Sequence, residues 1–207
     1  INVSANVDLE SVSLSATSSS LTTLYATNTK IDNILTLALP VLMEHLSIGG
    51  QSSTSTSSLD DTNVLAVIES LTKLVELRIS SSNLAVIPDL SNSASSLVKL
   101  YIDGNPAIRS LYPSTNASLL KLTTLDASSC SISDVSALFP LPLLLSIDLS
   151  SNKIWAGTGS QSTLEANFVK HSDTNFALDI SSQDSECSLS IDAFTANKVC
   201  SSTTPTS

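Results

Sequence analysis

Few residues of this chain are of the types that enzymes use for acid–base or nucleophilic chemistry. The chain has only two histidines, His45 and His171, and neither lies in a recognisable nucleophile or metal-binding motif. Five glycines in 207 residues leave no glycine-rich phosphate loop. Serine contributes 43 residues, so a serine near a histidine and an aspartate is expected by chance. We therefore predict that the chain is not an enzyme and has no catalytic, cofactor-binding or metal site.

The charge balance and the apolar runs exclude two further classes of protein. Nineteen acidic residues against nine basic ones give a formal net charge of −10, and Lys and Arg are nowhere clustered. Binding of nucleic acid requires a basic surface that neutralises phosphates. The longest nearly apolar run, Leu138–Ile147, contains Pro140 and Pro142 and is too short to cross a hydrocarbon core of ~30 Å. The sequence thus predicts neither a nucleic-acid partner nor a transmembrane segment.

An apolar template repeats along the chain, most clearly between Leu71 and Ile154. It reads L-x-x-L-x-L-x-x-N-x-L, and its first positions in four copies lie 23, 25 and 22 residues apart, within a repeat period of roughly 20–29 residues. Two weaker copies, themselves 22 residues apart, precede these four. In chain order the copies are Leu21/Leu24/Ala26/Thr29/Ile31, Met43/Leu46/Ile48/Gln51, Leu74/Leu77/Ile79/Ser82/Leu84, Leu97/Leu100/Ile102/Asn105/Ala107, Leu122/Leu125/Ala127/Cys130/Ile132 and Leu144/Ile147/Leu149/Asn152/Ile154.

The spacing within the template has a physical cause. Positions 4 and 6 alternate inward on a short strand, and positions 1, 9 and 11 turn the chain beneath the sheet. Successive strands stack at ~4.8 Å, so the inward side chains of neighbouring copies merge into one core. The ninth position requires a side chain that hydrogen-bonds buried backbone groups, since an unpaired buried amide costs ~1–3 kcal/mol. Asn105 and Asn152 suit this role, whereas Cys130 is a smaller substitute and Ser82 a weaker one.

This pattern resembles the leucine-rich-repeat family, and the run from Ile132 to Leu138 is similar to the 22-residue subtype of bacterial internalins. The resemblance implies an α/β solenoid, a right-handed superhelix with a concave parallel β-sheet and short convex helices or turns. Apolar residues at helical spacing in Ile34–Leu46 and Val64–Leu71 favour such helices, and Asp60 and Asp61 are placed to cap the second one. The functions of this family are too diverse to carry over.

The chain divides into four parts. Residues 21–180 form the predicted solenoid, interrupted at 51–58 by a tract of Gln, Ser and Thr that we expect to be an exposed loop. Residues 1–20 are either an N-terminal cap or the end of a longer array, and Val7–Leu14 alternates like a strand. We expect a last strand at Phe176/Leu178/Ile180, a C-terminal cap at 181–200 and a Ser/Thr/Pro linker or tail at 201–207.

The resemblance makes the concave face of the sheet the candidate binding surface. The fifth template position points to this face and holds Tyr25, Ser47, Arg78, Tyr101, Asp126, Asp148 and Asp179. All of these except Ser47 are candidate binding residues. The last three form an acidic row, in which Asp126 and Asp148 either meet basic side chains of a partner, flank a cation, or only keep the face soluble.

Pairs of small hydroxyl residues follow several strands of the template. They either fit a tight turn or leave room for a close neighbour. The pairs are Ser80/Ser81, Ser128/Ser129, Ser150/Ser151 and Ser181/Ser182.

The cysteines and the glycosylation motifs bear on where the protein works. Cys130 occupies a template position and is predicted to be a buried structural thiol. Cys187 and Cys200 lie beyond the last clear copy, where secreted members of the leucine-rich-repeat family often seal the core, so the resemblance implies a Cys187–Cys200 disulfide and an extracellular setting. In that setting Asn2 and Asn116, each in an N-x-S/T motif, are predicted N-glycosylation sites, and the Ser/Thr tracts are predicted to carry O-linked glycans.

Two functions from different classes remain open for a secreted or cell-surface protein of this kind. The first is non-enzymatic protein–protein interaction or adhesion, without a cofactor. The second is a structural subunit of a glycosylated cell-surface coat or extracellular filament, in which copies of the chain assemble through the solenoid ends. The second function predicts that the segment before Leu21 is covered by further chain or by another subunit, with apolar contact from Val7, Leu9, Val12 and Leu14.

Overall fold

A computed structural model of the chain describes residues 1–10, 12, 20–29, 39–40, 42–50, 62–111, 119–135, 141–154 and 177–180. These residues contain seven strands, an α-helix and a short 3-10 helix. The elements are β1 (Thr23–Tyr25), β2 (His45–Ser47), α1 (Thr62–Glu69), β3 (Glu76–Arg78), the 3-10 helix (Ser91–Ser93), β4 (Lys99–Tyr101), β5 (Thr124–Asp126), β6 (Ser146–Asp148) and β7 (Ala177–Asp179). No helix in the described ranges has the length and apolar character needed to cross a membrane.

The seven strands form one parallel sheet whose spatial order follows the chain order. Each strand pairs with the next in the same register, so that equivalent template positions lie side by side. The fourth position supplies the central residue of every strand, in the order Leu24, Leu46, Leu77, Leu100, Leu125, Ile147 and Leu178. Parallel strands that pair in chain order are the topology of a solenoid, which confirms the predicted α/β solenoid.

The core consists of columns of equivalent apolar residues that run the length of the sheet. The central strand residues are at most 8% exposed, and the first and sixth template positions supply further buried columns. Each fully buried Leu or Ile contributes ~1.5–3 kcal/mol relative to an exposed one. Because every coil of the solenoid places the same columns against its neighbour, each coil is stable only in the stack.

The side chain of Asn105 bonds to backbone groups of two coils. Its Oδ1 accepts hydrogen bonds from the backbone N–H groups of Ser82 (2.9 Å) and Leu84 (3.0 Å). Its Nδ2 donates to the carbonyl oxygens of Ile79 and Ile102, both at 2.8 Å. The residue is completely buried. This confirms that the ninth template position supplies hydrogen bonds to buried backbone groups.

Asn152 repeats this arrangement, and Cys130 replaces part of it. The Oδ1 of Asn152 accepts from the N–H of Ile132 at 2.9 Å, and its Nδ2 donates to the carbonyl of Ala127 at 2.8 Å. The Sγ of Cys130 lies 3.4 Å from the carbonyl oxygen of Ile102, to which it donates. A thiol therefore supplies one weak bond where an amide supplies several.

One template position differs from the prediction. The eleventh position of the coil that begins at Leu97 was assigned to Ala107, but Ala107 is exposed and Ile108 is completely buried instead. The N–H of Ile108 donates to the carbonyl of Asn105 at 3.0 Å. This turn delays the return of the chain to the core by one residue, so the larger side chain occupies the core.

The residue before the ninth template position has a left-handed backbone in six described coils. These residues, with φ between 50° and 67°, are Asn28, Gly50, Ser81, Gly104, Ser129 and Ser151. Left-handed geometry disfavours residues other than Gly, Asn and Asp. Three of the hydroxyl pairs place their second serine at this position. These three pairs therefore lie in a tight turn, the first of the two interpretations, and Ser181/Ser182 lies outside the described residues.

Helix α1 confirms the predicted convex helix at Val64–Leu71. Leu65 and Ile68 are buried, so the helix packs one face on the core. At its C-terminal end the Glu69 carboxylate accepts a hydrogen bond from the backbone N–H of Asp89 at 2.9 Å. That bond joins the helix to the following coil of the solenoid.

Residues 1–6 begin one more coil, and its extended segment lies before the strand predicted at Val7–Leu14. Asn2 lies opposite Tyr25 in a parallel bridge, and the N–H and C=O of Tyr25 bond to Ile1 and Val3 at 2.9 and 2.8 Å. The Nδ2 of Asn6 donates to the carbonyl of Val3 at 2.6 Å, as Asn105 does in its own coil. The signal in the sequence was the spacing I-x-V-x-x-N.

The prediction of a strand at Val7–Leu14 is wrong for its described part. Val7 lies in a turn and is 59% exposed, because the Asn6 side chain has already ended the extended segment. Leu9 and Val12 are partly buried and pack on the core. At Leu9 and Val12 this segment therefore packs on the solenoid of its own chain.

Several other predictions concern regions that the structure does not describe fully. The helix predicted at Ile34–Leu46 is wrong at its end, where Met43 leads into β2, and its beginning lies outside the described residues. Also outside are Leu14, Asp60, Asp61, Asn116, Cys187, Cys200, the loop at 51–58, the cap at 181–200 and the tail at 201–207.

Candidate functional site

The candidate binding residues form a single row on the concave face. Strand register places them in the order Tyr25, Ser47, Arg78, Tyr101, Asp126, Asp148 and Asp179. All are partly exposed except Ser47, which is 6% exposed between the larger side chains of its two neighbours. The predicted placement is therefore confirmed, while the binding role remains a proposal.

The N-terminal half of this row, on β1–β4, is aromatic and cationic. The Cζ atom of Arg78 lies 3.8 Å from the centroid of the Tyr101 ring. A guanidinium stacked on a ring at this distance is attracted to the ring's negative face and loses rotational freedom. Tyr25 lies on β1, two strands from Arg78, with Ser47 between them. This half thus presents two aromatic side chains and one oriented cation.

A second row, which the sequence interpretation did not identify, runs beside the first on the same face. It consists of the first residues of the strands, and three of these carry charge or a polar ring. The Oε2 atom of Glu76 lies 3.8 Å from Nδ1 of His45 and 3.9 Å from Nζ of Lys99. Neither distance is a hydrogen bond, and Nδ1 of His45 is a buried atom that has no hydrogen-bond partner within the described residues.

The sequence contained a signal for this second row. Residues two apart on a strand share a face, so the third template position lies on the same side as the fifth. Reading that position would have found His45, Glu76 and Lys99 in consecutive coils. Partly exposed pairs of this type contribute ~0–1 kcal/mol to stability. Lys99 is the cation that lies close enough to compensate part of the charge of Glu76.

The C-terminal half of the concave face, on β5–β7, is acidic. Beside its three aspartates, the second row holds the small neutral residues Thr124, Ser146 and Ala177. The Oδ1 of Asp126 accepts bonds from both N–H (3.1 Å) and Oγ (2.8 Å) of Ser128. These carboxylates therefore organise their own turns as well as facing the surface.

Asp148 is held in a similar way, because its Oδ1 accepts a bond from the N–H of Ser150 at 2.9 Å. No group of three or more His, Cys, Asp or Glu side chains that could hold a metal ion occurs within the described ranges. The roles considered for the acidic row remain predictions.

Cys130 is a free, buried thiol, as predicted. Desolvation by burial raises its pKa from 9.0 to about 11, against an opposing effect of the Asn105 backbone hydrogen bond. The thiolate is the reactive form of cysteine. A thiol that keeps its proton to this pH and makes a core hydrogen bond has a structural role.

Comparison with protein-family models gives no match, and comparison with curated proteins gives none either. Among solved structures, the chain is similar to internalin C2 from Listeria monocytogenes, with a TM-score of 0.53 and 17% identity, over 79% of this chain and 62% of that one. It is also similar to the functional domain of InlJ from the same species, with a TM-score of 0.38 and 17% identity, over 84% and 42% of the two chains. This chain thus spans less than two thirds of either structure. The likeness to internalin C2 shows that the fold is an internalin-like leucine-rich-repeat solenoid, as the sequence predicted.

Proposed function

We propose that this chain is a non-enzymatic leucine-rich-repeat protein that binds another protein on its concave face. The observation that carries the proposal is the placement of Tyr25, Arg78 and Tyr101 in one row of an open sheet. Tyrosine and arginine are enriched among the residues that dominate binding energy at protein interfaces. The internalin-like fold supports protein–protein interaction in general terms.

The dimensions of the concave face suit an extended protein surface. Seven strands at ~4.8 Å give a row about 29 Å long. Along that row the side chains change from aromatic and cationic to acidic, so a partner is distinguished by the order of its own charges. Complementary charge distributions of this kind favour specificity and fast association.

The experiment that tests this function is site-specific photo-crosslinking. A photoreactive residue at Thr124, on the concave face, is compared with one at Ala107, which is exposed outside that face. With the extracellular fraction of the organism that makes the protein, Thr124 is expected to give a discrete protein adduct and Ala107 none. Equal adducts at both positions, or none at Thr124, would contradict the proposal.

The extracellular setting is part of the proposal and rests on the cysteines and sequons. A Cys187–Cys200 disulfide requires an oxidising compartment. Of the two sequons, Asn2 lies in the described residues, where it is exposed at the end of the concave row. Intact-mass measurement with and without reduction, and before and after enzymatic removal of N-glycans, is expected to show one disulfide and attached sugar. Three free thiols in freshly isolated protein would contradict an extracellular setting.

The structural-subunit function is retained as a second candidate. The observation that favours it is the outermost described coil, where Ile1 and Val7 are 53% and 59% exposed. If copies of the chain assemble through such a coil, the mass in solution should increase with protein concentration. A constant monomer mass would leave the binding module as the remaining function.

A further inference from the structure

We propose that the Arg78 guanidinium binds a carboxylate of the partner protein, an Asp or Glu side chain. The proposal rests on the proposed function and specifies the chemistry of the partner at one position. Arg78 lies on β3, close to the middle of the described sheet. The carboxylate therefore meets the concave face away from its ends.

The first argument is that Arg78 is oriented but not bonded through its side chain. Its Cζ atom is held 3.8 Å from the centroid of the Tyr101 ring. No ion pair or side-chain hydrogen bond joins the guanidinium to any part of the chain that the structure describes. A guanidinium carries five N–H donors. Stacking occupies the face of the guanidinium. Its N–H donors lie along the edge of the group, so they are not directed at the ring.

The second argument is that the nearby carboxylates are engaged by other groups. Glu76, in the adjacent row, has both His45 and Lys99 within 4 Å of one oxygen. The nearest acidic residue in Arg78's own row is Asp126, two strands or about 10 Å away, and its Oδ1 accepts two bonds from Ser128. Asp103, which follows Tyr101 in the next coil, accepts a bond from Oγ of Ser80. No ion pair joins Arg78 to any of these three carboxylates within the described residues.

The third argument concerns the match between the side chain and a carboxylate. The donor fork of arginine accepts two carboxylate oxygens in parallel, which a lysine cannot reproduce. The ring of Tyr101 fixes the fork before binding, so less conformational entropy is lost. The chain carries a net charge of −10, so an acidic group is repelled over most of the surface. It is attracted at Arg78, which orients the partner along the row.

Nuclear magnetic resonance of the full 207-residue chain tests this site with two probes, the peptides acetyl-Gly-Asp-Gly-amide and acetyl-Gly-Asn-Gly-amide. The chain has only two arginines, Arg78 and Arg109, so their side-chain N–H signals can be assigned by substitution. The Asp peptide is expected to shift the signals of Arg78 and of the Tyr101 ring in a saturable way. The Asn peptide has the same shape without the charge and is expected to shift neither.

Two matched variants separate the donor fork from charge alone. Arg78→Lys keeps the positive charge, and the affinity for the Asp peptide, read from the Tyr101 ring, is expected to fall about tenfold. Arg109→Lys makes the same change at an exposed position outside the concave rows and is expected to leave that affinity unchanged. Equal responses to both peptides, an unchanged affinity in Arg78→Lys, or an equal loss in Arg109→Lys would each overturn the proposal.

The outcomes separate this inference from the proposed function. A cross-link at Thr124 together with no response to the Asp peptide would leave concave-face binding in place and remove the role of Arg78. A response to the Asp peptide without a cross-link would establish the anion site and contradict protein binding on this face.

Discussion

The two faces of the sheet differ in how strictly they repeat. On the buried face, the central strand residue is Leu or Ile in all seven strands, and an Asn amide bonds the turns at Asn105 and Asn152. On the concave face, no residue type occupies all seven positions of either row. The buried face repeats because every coil packs against an equivalent coil. The concave face meets solvent or a partner, so packing places little constraint on its residues.

The comparison predicts that substitutions on the buried face lower the free energy of unfolding the most. Asn105→Ala removes hydrogen bonds to Ser82, Leu84, Ile79 and Ile102. It leaves several buried backbone groups unpaired, and each of these costs ~1–3 kcal/mol. We expect the free energy of unfolding to fall by about 3–5 kcal/mol, measured by denaturant titration.

A matched control for this substitution is available on the surface. Asn92→Ala removes one bond, from Nδ2 to the carbonyl of Glu69, at an exposed residue. Its expected cost is below about 1 kcal/mol. Equal losses for the two variants would show that the buried amides are not the source of the strict repetition.

The buried thiol gives a pH-dependent test of the same face. Because burial raises the pKa of Cys130 from 9.0 to about 11, the unfolded chain loses this proton at lower pH than the folded one. Stability is therefore lost as pH rises from 9 towards 11, by about 2 kcal/mol. Cys130→Ser should remove this contribution, seen as a smaller alkaline decrease in unfolding free energy. The same alkaline decrease in Cys130→Ser and in the unsubstituted protein would contradict the assignment of this stability change to Cys130.

Substitutions at the left-handed turn position test backbone geometry independently of side-chain burial. Gly104 has a φ of +67°, and an added Cβ would clash with Oγ of Ser81. Gly104→Ala is therefore expected to cost about 1–2 kcal/mol. Ser129→Gly, at the equivalent position with a φ of +54°, is expected to stabilise by roughly 0.5 kcal/mol after the added entropy of the unfolded chain. Thermal unfolding of the two variants should shift in opposite directions.

The smallest effect is expected on the concave face. Lys99→Gln removes the 3.9 Å contact with Glu76, in which Lys99 is 47% exposed. Partly exposed ion pairs contribute little, so the unfolding free energy should change by less than about 0.5 kcal/mol. A loss comparable to that of Asn105→Ala in denaturant titration would show that the two faces do not differ in the proposed way.

Features that depend on spacing within one coil could be predicted from the sequence. The positions of the strands, the buried columns and the amide roles of Asn105 and Asn152 follow from one template, and helix α1 follows from apolar residues at helical spacing in Val64–Leu71. These features are local, since an alternating strand and a turn that requires an internal hydrogen-bonding side chain leave a regular pattern over about eleven residues. The identity of the candidate row followed from the same spacing.

Tertiary structure alone decided which side chains meet across coils. The stacking of Arg78 on Tyr101 joins residues 23 apart, and Glu76 lies between two side chains that come from different strands. The repeat spacing places these residues in neighbouring coils, but the contacts themselves depend on rotamers chosen in the assembled sheet. The burial of Ile108, where the template predicted Ala107, has the same origin. It depends on how one turn packs against its neighbours, and the template could not anticipate it.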